Sequence, residues 1–422
     1  MGWKRPAPER HRLLQQHYVD SSTRGKYEAL VVDMCSETRR VGSAPREESA
    51  SRLCERIFRN LAKKCTRMMV LMFDCQDKMH ESRSFLHLQR YPTLSAEGAA
   101  AAVARGKVIV DGRAFTPGSE PYPEEFVREV TADVPVVWTK MWASSAGKAR
   151  AWELVREGIV VAVHKHAADT LECVVWHNGE PWVWPYDDAA ARQQRAAELC
   201  NNTYGEGDQR VCEAAQVLAK WGTRSTLIQT IDTDMLIQVL CARAWHSQSV
   251  VDIQLKNELV DAVGMCKRFG PGWGERINAA FWLLASAGVD YCRGLGRFGY
   301  NTRELQENSL GCRSADGRVV TVCDTEIVVD TGLLTTALAC IPRRNMKGMV
   351  VMDFAKEVGN ILFCLALFCG ASRKRMPCGG PKPVDVVCFE AAVHDSPFDA
   401  SFLAAVASGD VECLCISHTD AN

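Results

Sequence analysis

The chain has 422 residues, is 47% hydrophobic and carries a formal net charge of −1. That length implies two or three domains with enough apolar material for a large core, and the near-neutral balance excludes a global cationic field. The 19 cysteines are odd in number, lie mostly inside apolar runs (Cys173, Cys241, Cys364) and show no disulfide-framework spacing, so a reducing intracellular compartment is expected.

Residues 1 to 15 are charged and hold no apolar signal core. Residues 1 to 90 contain 18 Lys/Arg against 11 Asp/Glu, which leaves a net of −8 for the remainder. A basic first segment beside an acidic remainder is compatible with a nucleic-acid partner, although solvated helix faces explain it more simply. Glu28 to Asp33 (EALVVD) reads as a buried strand that ends on an acid. Ser49 to Lys64 has helical periodicity through Leu53, Ile57, Phe58 and Leu61. Met68 to Asp74 (MMVLMFD) repeats the strand-then-aspartate pattern. The following CQDKMHESRSFLHLQRY reads as a helix carrying Lys78, Arg83 and Arg90. Cations beside carboxylates can hold and polarise a phosphate, and helix-surface charge is an equal alternative.

FTPGSEPYPEEF is a loop by its prolines and glycine. Val134 to Arg156 interleaves Trp138, Trp142 and Trp152 with Lys140, Lys148 and Arg150. That pattern can stack bases, but buried tryptophans in an amphipathic helix are the commoner explanation. Residues 159 to 184 read as two or three strands with an HNGE turn. His164 and His166 would share one strand face, with His177 nearby, and a structural role for them outweighs a metal role.

Tyr204 to Leu240 reads as a helix followed by a strand. Val211, Ala214, Ala215 and Leu218 form one apolar stripe, and Leu227 to Ile231 is a short β-friendly run. Glu206 and Asp208 stand at the mouth of the helix, Asp232 and Asp234 at the end of the strand. Val250 to Cys266 is taken as helical, RFGPGWGE as a turn and Ile277 to Ala287 as an apolar helix. Asp290 follows directly, in GVDYCRGLGRFG, where Gly294, Gly296 and Gly299 free amides that could bind phosphate or a monovalent ion. The last third holds the strand-like TEIVV, the apolar run Ile361 to Cys369 and the loop-like ASRKRMPCGGPKP, with no evident chemistry. That apolar run is far short of the ~20 residues that span a bilayer, so no membrane association is expected. Cys364, Cys369, Cys378 and Cys388 are spaced too irregularly for zinc.

Strands alternating with helices imply a parallel sheet. Its carboxyl edge would gather Asp33, Asp74 and Asp232, and ligand sites form beyond such edges. Carboxylates crowded together repel one another unless cations sit among them. The residues thus ask for a hard divalent ion. No GxxxxGK[ST] loop and no nucleophile-base-acid set at motif spacing is present.

The ordered motifs resemble those of the metal-dependent 5′-nuclease superfamily, which contains the flap endonuclease/XPG enzymes and the Xrn-type 5′→3′ exoribonucleases. The Met1-Gly2 start, LVVDMC and FDCQDKMHESRS carry the general resemblance. FTPGSE, YGEGDQRV and IDTDMLI look more like the exoribonuclease branch, and GVDYCRGLGRFG more like the flap endonuclease branch. The resemblance implies a PIN-like α/β fold with a central mostly parallel sheet over residues 1 to 300. Within it, about 120 to 200 form a divergent insertion or substrate-gating region. A helical region follows the core, and 301 to 422 form an accessory C-terminal region. It implies two Mg²⁺ or Mn²⁺ ions, one held by Asp33, Asp74, Glu206 and Asp208, the other by Asp232, Asp234 and Asp290. Lys78 and Arg83 would steer the scissile phosphate, with Arg90 as a substitute for Arg83. Gly2 would lie near the site, and Gly294 and Gly296 would contact the nucleic acid. The expected substrate is DNA or RNA with a 5′ end or flap. The alternative is an inactive nuclease fold kept as a scaffold.

Overall fold

Apolar runs without alternation, such as ALVVD and MMVLM, must be buried on both faces, which a parallel sheet layered between helices achieves. The structure, a computed structural model, describes residues 17–42, 46–74, 93–168, 170–177, 180–184, 189–199, 207–242, 245, 249–255, 258–289, 292, 294–311, 317–323, 326–342, 351–369 and 413–416. Its main sheet has seven strands. In chain order they are β1 (Tyr27–Asp33), β2 (Cys65–Met72), β3 (Glu172–His177), β4 (Glu180–Trp184), β5 (Ser225–Thr230), β6 (Val250–Leu255) and β7 (Glu258–Asp261). Their spatial order is β7-β6-β5-β1-β2-β3-β4. The inner five run parallel, and the outermost strand on each side closes an antiparallel hairpin. This is the mixed α/β architecture expected, a mostly parallel sheet flanked by helices, and it accords with a PIN-like core.

The helices used below are α1 (Met34–Val41), α2 (Ala50–Ala62), α3 (Ser145–His166), α4 (Gly207–Lys220), α5 (Met235–Cys241), α6 (Ala262–Phe269), α7 (Trp273–Ala287), α8 (Thr302–Gly311) and α9 (Val351–Phe368). Period-two alternation divides each inner strand between two cores. Leu30, Val32, Met69, Leu71 and Val175 face α1, α2 and α3. Ala29, Val31, Val70, Val174, Ile228 and Ile253 face the layer built by α4, α5, α6, α7 and α9. Each fully buried Val, Leu or Ile contributes about 1.5–3 kcal/mol, so the sheet is fixed mainly by these two apolar layers.

The chain winds outward from β1 through β2 to β3, then returns to the other side of β1 for β5 and β6. Right-handed crossovers in opposite directions place their helices on opposite faces, which is why α2 and α3 cover one face and α4 and α5 the other. The strand order therefore reverses between β1 and β5. That is the topological switch point, where a crevice opens beyond the carboxyl ends.

Two expectations are corrected. Residues 159 to 166, expected as strand, complete a 22-residue helix (Ser145–His166), whereas Glu172–His177 and Glu180–Trp184 are strands as expected. Ser144 caps it, accepting from the Gly147 amide at 3.0 Å, and Ala151, Leu154, Val155, Gly158, Ile159 and Ala162 pack it onto α2. Burial of that helical stripe overrides the β-propensity of Ile159, Val160 and Val161. His164 and His166 are two residues apart on a helix, so they point to different sides. His164 packs edge-on to Trp184, and His166 lies by Glu55. The second correction is Val250 to Asp261, which is the hairpin of β6 and β7 rather than helix; only 262–269 is helical. The tryptophans of 138–152 are core. Trp138 and Trp152 are buried, and Trp142 packs between them with ring centroids 5.7 and 4.5 Å away.

Beyond residue 300, a second sheet pairs Val320–Cys323, Glu326–Asp330 and Cys413–Ile416. Leu305, Val320, Leu334, Val358, Ile361 and Leu365 belong to the same apolar cluster as β1 and β5. The cluster thus continues across residue 300 without a break. Among the described residues, no helix is long and apolar enough to cross a membrane.

Candidate active site at the carboxyl edge of the sheet

Three neighbouring strands end at the switch point, and each brings an acid there. Asp33 is the last residue of β1, in register with Met72 of β2. Asp74 lies two residues beyond β2, and Asp232 two residues beyond β5. Adjacent strands are about 4.8 Å apart, so three chain-distant carboxylates share one short edge.

Asp33 is 4% exposed. Its Oδ1 accepts the Ser36 amide at 3.0 Å and so caps α1. Its Oδ2 accepts the hydroxyls of Ser36 and, at 3.2 Å, of Thr230. The Thr230 bond spans the crevice from β5 to β1. Burial pushes the Asp33 carboxyl up to about 6, and the charge of Asp74 and then of Asp232 pushes in the same direction against the Ser36 hydrogen bonds. Each added negative charge nearby makes the next harder to form.

Asp74 is 8% exposed, and its Oδ1 accepts the Gly207 amide at 2.8 Å. The positive end of the α4 dipole thus rests on an acid from another strand. A Cβ on Gly207 would stand 3.1 Å from that oxygen, so glycine permits the approach. Asp208 is the next residue of this first helical turn. Arg210, in the same turn, is 1% exposed. It places a buried guanidinium on the helix that meets the acids, and it was not picked out from the sequence.

Asp232 and Asp234 occupy a tight turn. The Asp232 amide donates to Thr230 Oγ1 at 3.1 Å, and the Asp234 amide donates to Asp232 Oδ1 at 3.0 Å. Such side-chain-to-backbone bonds are the usual way aspartate shapes a turn. Asp234 is 4% exposed and precedes α5 without capping it through its side chain.

Of the other expected residues, Gly2, Lys78, Arg83, Arg90, Glu206 and Asp290 lie outside the described residues, as does the side chain of Asp208. Gly294 is described and has φ +77. Its amide donates to Glu357 Oε1 at 2.8 Å, so that N–H is engaged by a carboxylate instead of being open to a phosphate. Gly296 lies in the short turn Leu295–Phe298, where a Cβ would come 2.7 Å from Thr302 Cγ2. Among the described residues, no three His, Cys, Asp or Glu form a group able to hold an ion. The donor chemistry still suits a hard cation, since Asp33, Asp74 and Asp232 offer only carboxylate oxygens, and burial first, then the charges of Asp74 and Asp232, raise the Asp33 carboxyl.

Glu357 is the acid that the sequence did not reveal. It is 2% exposed on α9, in a helix otherwise buried through Val358, Ile361, Cys364 and Leu365. The available signal was a charge on the apolar stripe at i, i+4, i+7 and i+8.

No protein family and no curated protein sequence matches the chain. Among solved structures, it is similar to the T5 D15 protein co-crystallised with metal ions, at a TM-score of 0.37 and 10% identity, over 90% of this chain and 98% of that one.

Proposed function

We propose that the protein is a divalent-metal-dependent 5′-nuclease that hydrolyses phosphodiester bonds at or near the 5′ ends of DNA or RNA. The observation that carries this reading is the convergence of Asp33, Asp74 and Asp232 at the switch-point crevice, close enough for the charges of the latter two to raise the first. Asp33, Asp74, Glu206 and Asp208 would hold one Mg²⁺ or Mn²⁺ ion, and Asp232, Asp234 and Asp290 the other. Bound there, the pair would supply water activation and leaving-oxygen stabilisation for an in-line displacement. The chain's own residues do the rest. Ser36 and Thr230 orient the Asp33 carboxylate by donating to it. The Gly207 amide holds one oxygen of Asp74 at 2.8 Å. Lys78 and Arg83, with Arg90 as the substitute for Arg83, would bind and turn the scissile phosphate.

The test offers purified protein a labelled 5′-flap DNA, a 5′-phosphorylated RNA and a blunt duplex, with Mg²⁺ or EDTA. Cleavage of at least one substrate with Mg²⁺ only, and its loss in Asp234→Ala with the circular dichroism spectrum unchanged, is the expected result. Full activity of Asp234→Ala defeats the assignment of the acids. Binding without cleavage by the wild type under every metal condition points instead to the scaffold role.

A further inference from the structure

Helices that link parallel strands run back against them, so their carboxyl ends gather at the amino edge of the sheet, opposite the crevice. Helix α2 ends beside Lys63, just before β2. Helix α4 runs from Gly207, at Asp74, down to Lys220, shortly before β5. The strand starts are joined by register. Tyr27 pairs with Cys65, its amide donates to the Lys64 carbonyl at 2.9 Å, and the Glu28 amide donates to Ser225 Oγ at 3.0 Å. Lys26, Lys63, Arg67, Lys220 and Arg224 therefore stand around the first residues of β1, β2 and β5, and all of them are exposed.

The acid set among these cations is Glu28. It accepts the Arg224 amide at 2.8 Å and Arg224 Nε–H at 3.0 Å, yet the Arg224 side chain stays 87% exposed. The Glu28 carboxyl is held below its ordinary value first by the Arg224 amide, against desolvation, then by the Arg224 guanidinium, with the charge of Arg67 adding. One carboxylate thus answers two guanidinium groups, and three lysines stand beside them. The next acid outward, Glu172, opens β3 on the far side of β2. Lys64 is turned inward, its Nζ donating to Gln229 Oε1 at 2.6 Å. Lys63 and Lys220 complement the negative ends of their helices, but Lys26 and Arg67 stand at strand starts, where no comparable dipole calls for them. Neighbouring strands are about 4.8 Å apart. The three starts therefore lie within about one Debye length, ~10 Å at 0.1 M salt, and their charges act together. In a chain of net charge −1 this is a local concentration of positive charge. It is also a polar one: the exposed large hydrophobics among the described residues, Leu94, Val103, Val108, Phe126 and Val161, lie on other segments. A protein partner would need an apolar centre to its interface, whereas a phosphate backbone needs only the cations.

We propose that this amino edge is a separate nucleic-acid contact, which holds the phosphate backbone of a DNA or RNA strand without reading its sequence. Strands of six or seven residues at about 3.3 Å per residue set it about 20 Å from the carboxyl edge. It therefore needs no divalent ion, and it stands whether or not the crevice cleaves.

The test measures binding of a fluorescein-labelled 20-nucleotide single strand to the full chain by anisotropy, in EDTA, over a range of NaCl concentrations. Combining Lys26→Gln, Lys63→Gln and Arg67→Gln should raise Kd about tenfold or more at 0.1 M salt and lower the slope of log K against log salt by about 2, since each lost phosphate contact removes about 0.7. Combining Arg105→Gln, Lys107→Gln and Arg128→Gln, which are exposed on other segments, should leave Kd within about twofold. Circular dichroism checks the fold of both. If the first combination does not fold, Lys26→Gln and Arg67→Gln taken singly should each lower the slope by about 0.7. An unchanged slope in the edge variants overturns the proposal. Equal losses in the two combinations also overturn it, because overall charge and not this surface would be the agent. A wild type that ignores the oligonucleotide but sediments with phosphatidylserine vesicles overturns it in favour of a lipid surface. Wild-type binding in EDTA without cleavage in Mg²⁺ sinks the nuclease reading alone, whereas cleavage with unchanged edge variants sinks only this inference.

Discussion

Replacing Asp33 with asparagine should make the metal-free protein more stable at neutral pH while abolishing the proposed metal binding. The carboxyl has an ordinary value of 3.8 and sits at about 6 in the folded chain, raised by burial and then by Asp74 and Asp232. Between those two values the folded chain keeps a proton that the unfolded chain has released. Folding is therefore favoured at the acid end of this window, and the advantage is lost as pH rises through about 6. At about 1.4 kcal/mol per pKa unit, the ionised folded state carries a penalty of about 3 kcal/mol above that window. Asparagine removes the charge and keeps an oxygen for the Ser36 amide. The hydroxyls of Ser36 and Thr230 must turn to accept from the new NH₂ group, which costs about 1 kcal/mol. A net gain of about 2 kcal/mol is expected at pH 7 to 8. Denaturant unfolding in EDTA, for both proteins from pH 4 to 8, measures it. The difference should be near zero or slightly unfavourable at pH 4 and grow through pH 6. Saturating Mg²⁺ should stabilise the wild type and leave Asp33→Asn unmoved. A variant less stable than wild type at pH 8 in EDTA, or a difference flat in pH, refutes the premise that these carboxylates repel in a buried crevice.

Two further expectations test the scaffold. A Cβ on Gly158 would lie 2.8 Å from Cys54 Sγ where α3 crosses α2; Gly158→Ala should cost about 1–3 kcal/mol in thermal unfolding, and adding Cys54→Ala should recover part of it, whereas strict additivity would place the strain elsewhere. Asp252 is fully buried and accepts Tyr27 Oη–H at 2.7 Å and Arg24 Nε–H at 2.8 Å; Asp252→Ala should cost about 3 kcal/mol, and a loss below ~0.5 kcal/mol in the same assay would show that the pair is not holding β1 to β6.

The strand-to-aspartate pattern was legible, yet it does not by itself announce a site. Asp261 and Asp330 end strands too, and each simply caps the next helix, accepting from Gly264 at 2.9 Å and Leu333 at 2.8 Å. Asp33 also caps a helix. Its difference lies in its neighbours, and those are set by the spatial order β5-β1-β2. That order follows from right-handed winding across two faces, a property of the whole chain that no local window contains. The last part of the Ser145–His166 helix, residues 159–166, escaped for the opposite reason. Its β-branched run looked like strand, but Gly158 and Ala162 let it approach α2 closely, and that contact decided the conformation. The β6–β7 hairpin is short and buried on both sides, where apolar periodicity does not separate strand from helix.

The acids of the sheet edge and Gly294 beyond α7 are held by different means. Asp33, Asp74 and Asp232 are held by partners at the ends of their own strands and at the mouth of α4: Ser36, Thr230 and the Gly207 amide. The register of β1 against β2 and β5 brings Asp33 beside the ends of those strands. Gly294 instead donates its amide to Glu357. It sits outside the parallel strands and receives its buried partner from α9, whose apolar face also covers α7. Ile361, Leu362 and Leu365 of α9 belong to the same apolar cluster as β1 and β5, so the carboxylate at 357 is set in place by the packing of a segment with no motif of its own.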